Sequence, residues 1–308
     1  MASKSQSHCF QQLHVDVARS ATDDFNPFHD PHRWHCIQGN RYGGPIVLGF
    51  QLVALADHLI DRQRESDALG LPPRCRYSNY DLRFAQAVLP GETFRTDVRP
   101  TLRKSGTEGV STRVILRKEE GSLILRGSRS DMPTPMLPLD LDDNDAHNIE
   151  TCRDRCRVPG TDLFVKRKYL NTSNGKNFLL GSLIDPFSYF DELSDRVSFP
   201  PMFTASLISC ALLERARADC YDFEREPQVY VSQRITVDRA RQQALRSNDR
   251  IDLLVEPEKP GVEPHATPGG VGDQQRYRCL GIVTRQGALF RASVTLMSLQ
   301  SLTAIPRR

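Results

Sequence analysis

The chain has 308 residues, of which 39 % are hydrophobic and 26 % charged, and its formal net charge is +3. This length suffices for two domains or for one duplicated unit, and the composition excludes a disordered chain. A net charge this small, with lysines and arginines spread along the chain rather than in a long basic run, argues against a nucleic-acid-binding protein.

The N-terminal segment MASKSQSHCFQQ lacks the apolar core of a signal peptide, and no run of 18 apolar residues predicts a membrane span. The eight cysteines are scattered. The closest pair, Cys152 and Cys156, fits no common zinc or redox spacing. We therefore expect a cytoplasmic protein with reduced thiols and no membrane span.

Residues 23–31, DDFNPFHDP, place an acid and an imidazole close together in the sequence. Asp24 and His29 are five residues apart, and Pro27 prevents a regular helix while favouring extended backbone at Asn26. A tight turn would bring the two side chains to one point, where they could hold a water between them. Because histidine titrates near neutral pH, such a pair can act as general acid and base. Asn26 can fix the arrangement with a hydrogen bond.

Two other uses of these side chains stay open. An aspartate and a histidine at a turn often serve only as capping or hydrogen-bonding groups. His29, His32 and His35 are spaced three residues apart and Cys36 follows, which is compatible with a metal site. Pro31 interrupts that spacing, and no paired carboxylates accompany it, so the pattern favours a site without metal.

An apolar run from Pro45 to Glu65 predicts a long helix. It is apolar nearly all round at its start and charged at its end, which is typical of a helix buried along most of its length. A backbone N–H at a helix N-terminus stabilises an enolate-like oxyanion, and Gly49 has no side chain to block close approach. Gly49 is therefore a candidate oxyanion-hole donor, and the alternative is a glycine used only for close packing.

The same order of elements occurs twice. A second apolar run, from Pro200 to Ala218, predicts another buried helix, and four strand-like segments follow each helix. In each half the last two segments alternate polar and apolar residues on either side of Gly121 or Gly287, the pattern of a β-hairpin. The repeated helix and meander predict an α+β fold, in which a sheet wrapped around a helix buries it on most sides.

We therefore predict a double hotdog, with two antiparallel sheets, each wrapped around a central helix, and with the two helices side by side. The proline- and aspartate-rich stretch 133–148 divides the chain near its middle. The predicted boundaries are an N-terminal hotdog, a linker and a C-terminal hotdog, over residues 1–132, 133–160 and 161–308. The proline- and glycine-rich stretch 258–275 predicts a mobile loop.

The stretch DDFNPFHDP, followed closely by GGPIVLGF, resembles the hydratase 2 motif of the MaoC-like dehydratases and (R)-specific enoyl-CoA hydratases. The resemblance implies that Asp24 and His29 are the catalytic pair, that Asn26 supports them, and that the Gly49 N–H polarises a thioester carbonyl. It implies addition or removal of water across the 2,3 double bond of an acyl thioester. Coenzyme A or acyl carrier protein would carry the acyl group as part of the substrate, and no metal or redox cofactor is implied.

Two alternatives to this lyase activity stay open. In a hotdog thioesterase, Asp24 would activate water against the carbonyl carbon instead of the β-carbon. A non-catalytic acyl-thioester-binding protein would keep the fold alone. Leu48, which stands where the family usually has histidine, favours this second alternative. A homodimer of double hotdogs is one assembly that the fold allows.

The C-terminal half does not repeat the motif. Asp185 is taken as the match of Asp24, but Phe190 lies five residues later where the first half has His29, and no histidine lies between residues 148 and 264, so we predict no catalytic pair there. This half can complete the sheet, wall off the acyl tunnel or bind the pantetheine arm. The cluster Lys166–Lys168 could contact phosphates, although such clusters are usually solvated. Cys210 fits a small core residue better than a nucleophile.

Overall fold

A computed structural model describes residues 6–67, 74–103, 108–139, 149–258, 274–284 and 286–304. The helices that shape the fold are α1 (Gln12–Thr22), α2 (Gly49–Ser66), α3 (Thr172–Gly181), α4 (Pro201–Ala218), α5 (Arg239–Ala244) and α6 (Leu299–Ala304). The strands before residue 140 are β1 (Gln6–Cys9), β2 (Tyr77–Phe84), β3 (Thr93–Val98), β4 (Leu102–Arg103), β5 (Val110–Lys118) and β6 (Leu123–Met132). Those after it are β7 (Cys156–Arg157), β8 (Phe164–Tyr169), β9 (Phe190–Asp191), β10 (Arg196–Val197), β11 (Gln228–Asp238), β12 (Arg250–Pro257), β13 (Gln274–Val283) and β14 (Gly287–Ser298).

One antiparallel sheet runs through both halves in the order β1-β3-β5-β6-β2-β11-β14-β13-β12-β8-β7, with β4 paired to β5. The sequence predicts two sheets, and the structure joins them into one because β2 and β11 pair along their length. At this junction Tyr80 lies opposite Ile235, and both are buried. The two predicted hairpins are confirmed as β5–β6 and β13–β14. Gly121 and Gly287 lie in the turns of these hairpins with φ of 95° and 86°, a conformation that glycine adopts without strain.

The two long helices pack against each other and against the sheet. Helix α2 contacts β3, β5 and β6, whereas α4 contacts β8, β12 and β13. The predicted contact between the two helices is thus confirmed, whereas a sheet wrapped around each of them stays a prediction. The start of α2 differs from the prediction, since Leu48 is extended (φ −63°, ψ 138°) and the helix begins at Gly49 rather than at Pro45. Pro201 occupies the first position of α4, where its missing N–H would have no intrahelical partner.

Two shorter helices that the sequence analysis did not predict pack together across the halves. Helices α1 and α3 contact each other closely. A Cβ on Gly181 would lie 2.8 Å from the Ala18 Cβ and 2.8 Å from the His14 carbonyl oxygen. Only glycine permits this approach. Each of these helices ends at a loop with the same backbone pattern, and the loop after α1 carries the Asp–His motif.

Parts of the predicted domain organisation are not covered by the described residues. Residues 140–148 of the predicted linker lie outside them, as does most of the predicted loop 258–275, namely residues 259–273. The division of the chain into these three segments therefore stays a prediction. Across the ranges given above, no helix combines the length and apolar character needed to cross a bilayer.

Candidate active site

The loop after α1 holds Asp24 in place by backbone geometry. Asp23 adopts a left-handed conformation (φ 53°), and the Asp24 N–H donates back to the Arg19 carbonyl at 2.9 Å, which closes the helix end. The Asp24 Oδ1 then accepts a hydrogen bond from the Asn26 N–H at 3.0 Å. Asp24 is 5 % exposed, so its carboxyl group lies inside the protein close to the predicted turn.

Asn26 begins a short 3-10 helix, Pro27–His29, that carries the imidazole. Its Oδ1 accepts from the Phe28 N–H at 3.1 Å, and Pro27 occupies the first position. The amide therefore fixes the backbone of the turn between the two predicted catalytic residues. The supporting role in catalysis that the resemblance implies for Asn26 stays a prediction.

The His29 ring is oriented by one hydrogen bond. Its Nδ1 lies 2.8 Å from the Ile46 carbonyl oxygen, which can only accept, so Nδ1 carries the proton. In the neutral ring Nε2 is then the bare nitrogen, free to accept a proton. Burial lowers the pKa of His29 below its usual value, while the charge of Asp24 and the Ile46 hydrogen bond act in the opposite direction. The two predicted catalytic groups are thus electrostatically linked.

Gly49 lies at the first position of α2, where backbone N–H groups have no intrahelical acceptor. A Cβ at this position would lie 3.3 Å from Cε1 and Cζ of Phe84 and 3.9 Å from Cδ2 of Tyr230. Close packing at Gly49 is therefore present in the structure. It also leaves the start of the helix accessible, and the role of its N–H as oxyanion-hole donor stays a prediction.

His29 and Gly49 line the same cavity, which we call the main cavity. Its volume is about 670 Å³, and its walls include Ile46, Phe84 and Tyr42. A cavity of this size is within the range of small-molecule sites. The structure thus brings the imidazole and the helix start to one space, as the sequence motif predicts.

Asp24 lines an adjoining space of about 230 Å³, the side cavity. Asn26, Phe28, Gln228 and Tyr230 line both cavities. The carboxylate thus faces the side cavity and the imidazole faces the main cavity, on the two sides of a shared wall. Asp24 does not line the main cavity and His29 does not line the side cavity, so the predicted meeting of the two side chains at one water stays a prediction.

Ser209 and Tyr230 of the C-terminal half lie beside this wall, and sequence reasoning missed both. The Tyr230 hydroxyl lies 2.9 Å from the Ser209 hydroxyl, and both residues line the side cavity. Burial raises the pKa of Tyr230 well above its usual value, and the nearby charge of Asp24 raises it further. Tyr230 is therefore a neutral phenol beside the Asp24 carboxylate. No local sequence signal marks it, since it lies about 200 residues from the motif.

Leu48 and Gln51 connect the helix start to both halves. Leu48 is buried, and its N–H donates to the Gln51 Oε1 at 3.1 Å. The Gln51 amide nitrogen donates to the His14 carbonyl at 3.1 Å and to the Gly181 carbonyl at 2.5 Å. The side chain that caps the start of α2 is thus Gln51.

The loop after α3 repeats the loop after α1 without its chemistry. Leu183 has φ of 60°, like Asp23, and in each loop the next N–H donates to a carbonyl of the last helical turn at 2.9 Å. Ile184 therefore stands where the first half has Asp24. The side chain of Asp185 caps the following 3-10 helix, as Asn26 does in the first half.

The predicted correspondence of Asp185 with Asp24 is therefore wrong. Asp185 corresponds to Asn26, because one residue fewer separates it from the preceding helix end. The 3-10 helix that follows it ends at Ser188 where the first half has His29. At the helix start, Pro201 corresponds to Gly49 and has no N–H to donate. The second half thus has none of the three functional groups at the equivalent positions.

Other candidates from the sequence have local partners. Lys166 pairs with Asp154 at 3.0 Å and Arg167 with Asp252 at 2.9 Å, and Lys168 pairs with Asp23. These three cations are therefore occupied by carboxylates rather than available for phosphates. Within the described ranges, no cluster of three or more His, Cys, Asp or Glu side chains is arranged to hold a metal ion.

Cys210 is buried in α4, and burial raises the pKa of its thiol to about 11. A thiol with such a pKa carries little thiolate near neutral pH. This agrees with the interpretation of Cys210 as a core residue.

Solved structures with the same fold span nearly the whole chain. A MaoC-like dehydratase superposes with a TM-score of 0.59 at 11 % identity, covering 96 % of this chain and 97 % of that one. A conserved hypothetical protein from Mycobacterium tuberculosis with a double hotdog fold has a TM-score of 0.57 at 13 % identity, with 97 % of each chain covered. A MaoC-like dehydratase from Phytophthora capsici has a TM-score of 0.51 at 11 % identity, with 95 % of each covered.

No family model matches the sequence, and no curated protein matches it. The structural likenesses therefore establish the double hotdog fold, whereas the chemistry has to be argued from the site itself.

Proposed function

We propose that this protein adds water to, and removes it from, the 2,3 double bond of an acyl thioester, within the MaoC-like group of double hotdog enzymes. In this interpretation α2 and α4 are the central helices of the two hotdogs. The observation that carries the proposal is the buried His29, whose Nδ1–H is held by Ile46 while the charge of Asp24 acts on the ring. This arrangement leaves Nε2 as a base inside a cavity, beside a helix N-terminus.

The reaction follows from these positions. His29 Nε2 takes a proton from a water as the hydroxyl adds to the β-carbon, and the negative charge of Asp24 stabilises the resulting imidazolium. The electrons of the double bond move to the thioester oxygen, where the Gly49 N–H and the helix dipole stabilise the enolate. The imidazolium then returns the proton to the α-carbon, so that the net change is addition of one water.

The main cavity suits a carrier arm with negative charge. Arg41 and Lys118 line it, and Arg41 is exposed to solvent beside Tyr42. Lys118 forms an ion pair with Glu92 at 2.7 Å. The phosphates of coenzyme A or of an acyl carrier protein's prosthetic arm would find the Arg41 guanidinium at the cavity wall, whereas Lys118 is already held by its carboxylate partner.

A second candidate function is supported by one observation. Leu48 provides no polar side chain at the helix start, where the family usually has histidine, and a protein that only binds acyl thioesters would need none. Three measurements on the purified protein with a trans-2-enoyl thioester separate the possibilities. Loss of the enoyl absorbance without thiol release supports the hydratase, thiol release in an Ellman assay identifies a thioesterase, and calorimetric binding without either signal identifies a binding protein.

A further inference from the structure

The side cavity has a mostly apolar wall that also contains two carboxylates, those of Asp24 and Asp219, and one largely buried cation. Leucine, alanine and aromatic side chains make up most of its lining, and Arg215 lines it from the last turn of α4. An acyl group that passes Asp24 would enter this space, since Asp24 lines it too. A purely hydrocarbon chain gives no reason for a guanidinium in such a wall, because burying a charge without a full set of partners is unfavourable.

The partners of Arg215 leave part of its guanidinium unsatisfied. The side chain is only 11 % exposed, and its Nε is buried with no hydrogen-bond partner among the described residues. Asp219 is 3.7 Å from Nη2, beyond hydrogen-bond distance, and is held more closely by Arg157 at 2.5 Å. The ring of Tyr277 lies 5.4 Å from the guanidinium carbon and provides a cation–π contact. Arg215 thus stands in the cavity wall with Asp219 at a distance and Tyr277 beside it, and its charge is incompletely compensated.

The separation between Arg215 and the catalytic junction indicates the size of the missing partner. Ser209, which contacts Tyr230 at the wall shared by both cavities, is six residues earlier on α4. At the rise of an α-helix this corresponds to roughly 9 Å along the axis. A short acyl chain spans such a distance.

We propose that the side cavity receives the acyl group of the substrate and that the Arg215 guanidinium binds a carboxylate at the far end of that group. The substrate is then the thioester of a short dicarboxylic acid. Guanidinium and carboxylate form strong charge-assisted hydrogen bonds, and the contact of Arg215 Nη2 with Asp219, at 3.7 Å, is too long to be one. This inference rests on the proposed function, because it takes the acyl thioester as the ligand.

A binding experiment tests the inference without requiring turnover. Calorimetry would compare glutaryl-pantetheine with 5-methylhexanoyl-pantetheine, in which an uncharged isopropyl group with the same number of heavy atoms replaces the carboxylate. We expect the wild-type protein to prefer the glutaryl ligand and Arg215→Met to weaken it by about 10- to 100-fold, the effect of one hydrogen bond to a charged group. Binding of the isopropyl ligand should be retained, which also shows that the variant is folded.

The matched control is Arg217→Met, on the same helix end. Arg217 is 59 % exposed, forms an ion pair with Glu214 at 2.5 Å and does not line the side cavity. It should leave both affinities unchanged. If the wild-type protein binds both ligands equally, or if Arg215→Met weakens both equally, the inference is wrong. Equal binding of the neutral methyl ester of the glutaryl ligand would show that Arg215 recognises an uncharged acceptor and would overturn the assignment to a carboxylate.

Turnover separates this inference from the proposed function. Hydration of trans-glutaconyl-pantetheine and of 5-methylhex-2-enoyl-pantetheine would be followed by enoyl absorbance. If both are hydrated with equal kcat/KM, the hydratase proposal stands and the carboxylate specificity fails. If neither is hydrated while the binding preference depends on Arg215, the carboxylate site stands and the hydratase proposal fails.

Discussion

Replacing Asp24 by asparagine removes the charge and basicity of the carboxyl group while retaining its shape. The amide oxygen of asparagine can accept the hydrogen bond that the Asn26 N–H now donates to Asp24 at 3.0 Å. The loop should therefore keep its fold. We expect hydration of a trans-2-enoyl thioester to fall by about 10²- to 10⁴-fold, the usual contribution of a positioned acid or base.

The same substitution should change the pH dependence of the remaining activity. The Asp24 charge raises the pKa of His29 against the larger effect of burial. Without that charge, the imidazolium is less stable and the acidic limb of kcat/KM should move to lower pH. A stopped-flow or steady-state absorbance assay between pH 5 and pH 8 measures both effects on one protein.

Two further variants complete this test. His29→Ala should reduce turnover comparably, and the double variant should lose little more, because the pair acts on one water. Asp185→Asn is the matched control, since this residue caps the equivalent turn in the second half and asparagine is what the first half uses there. Its turnover should stay within a few-fold of wild type. Wild-type turnover by Asp24→Asn, on a substrate that the parent clearly processes, would refute the assignment of this site.

The remaining predictions concern pH, the helix start and the buried ions. Because burial lowers the pKa of His29 below its usual 6.5, kcat/KM should rise with pH through a value below 6.5. The folded state should also lose stability as pH falls below 6.5, since the unfolded chain then binds the proton more readily than the folded chain does. Gly49→Ala should keep its melting temperature, because alanine favours helix, but should lower kcat/KM by about 10- to 100-fold through displacement of the Phe84 ring. Arg129→Met should reduce the free energy of unfolding in urea by about 3–5 kcal/mol, since it leaves Asp57, bound at 2.8 Å, as a buried carboxylate without its partner. Burial already raises the pKa of Asp57 to about 6, and protonation relieves the buried charge, so this deficit should be smaller at pH 5 than at pH 7. Activity unaffected by Gly49→Ala, or an Arg129→Met deficit independent of pH, would contradict the respective argument.

Local patterns predicted the parts of the fold that local forces determine. The β5–β6 and β13–β14 hairpins follow from alternation and from a glycine at each turn, and the two long helices follow from their apolar runs. The start of α2 was placed four residues early because Pro45 is compatible with a first turn. The extended Leu48 and its hydrogen bond to Gln51 decide the actual start, and both depend on contacts with α1 and α3.

The polar core around the second half of α2 could not be read from sequence alternation. Arg129 and Asp131 occupy inward positions of β6, where alternation predicts apolar side chains. They are satisfied by Asp57 and Arg64, which α2 presents on the facing side. Such pairs join positions about 70 residues apart, so no local window contains both partners.

The candidate site likewise combines residues that are close in the sequence with residues that only the fold brings near. Asp24, Asn26, His29 and Gly49 could be proposed from the sequence because they lie in one short stretch with a recognisable motif. Tyr230 and Arg215 were missed because only the fold brings the second half to the site. The correspondence of Asp185 was misjudged because spacing alone does not reveal a one-residue shortening of a loop.

The continuous sheet through β2 and β11 joins two halves that belong to one chain. A substitution can therefore affect one half without affecting the other. In a dimer of identical subunits, each position is present in both copies, so a proline at the helix start would remove the N–H from both sites at once. Here the halves are encoded separately. Pro201 can therefore give α4 a preorganised first turn while Gly49 keeps its N–H, and a hydrophobic Ile184 can fill the place where Asp24 carries charge. Joining two units in one chain thus allows one half to specialise in reactivity and the other in rigidity and ligand choice.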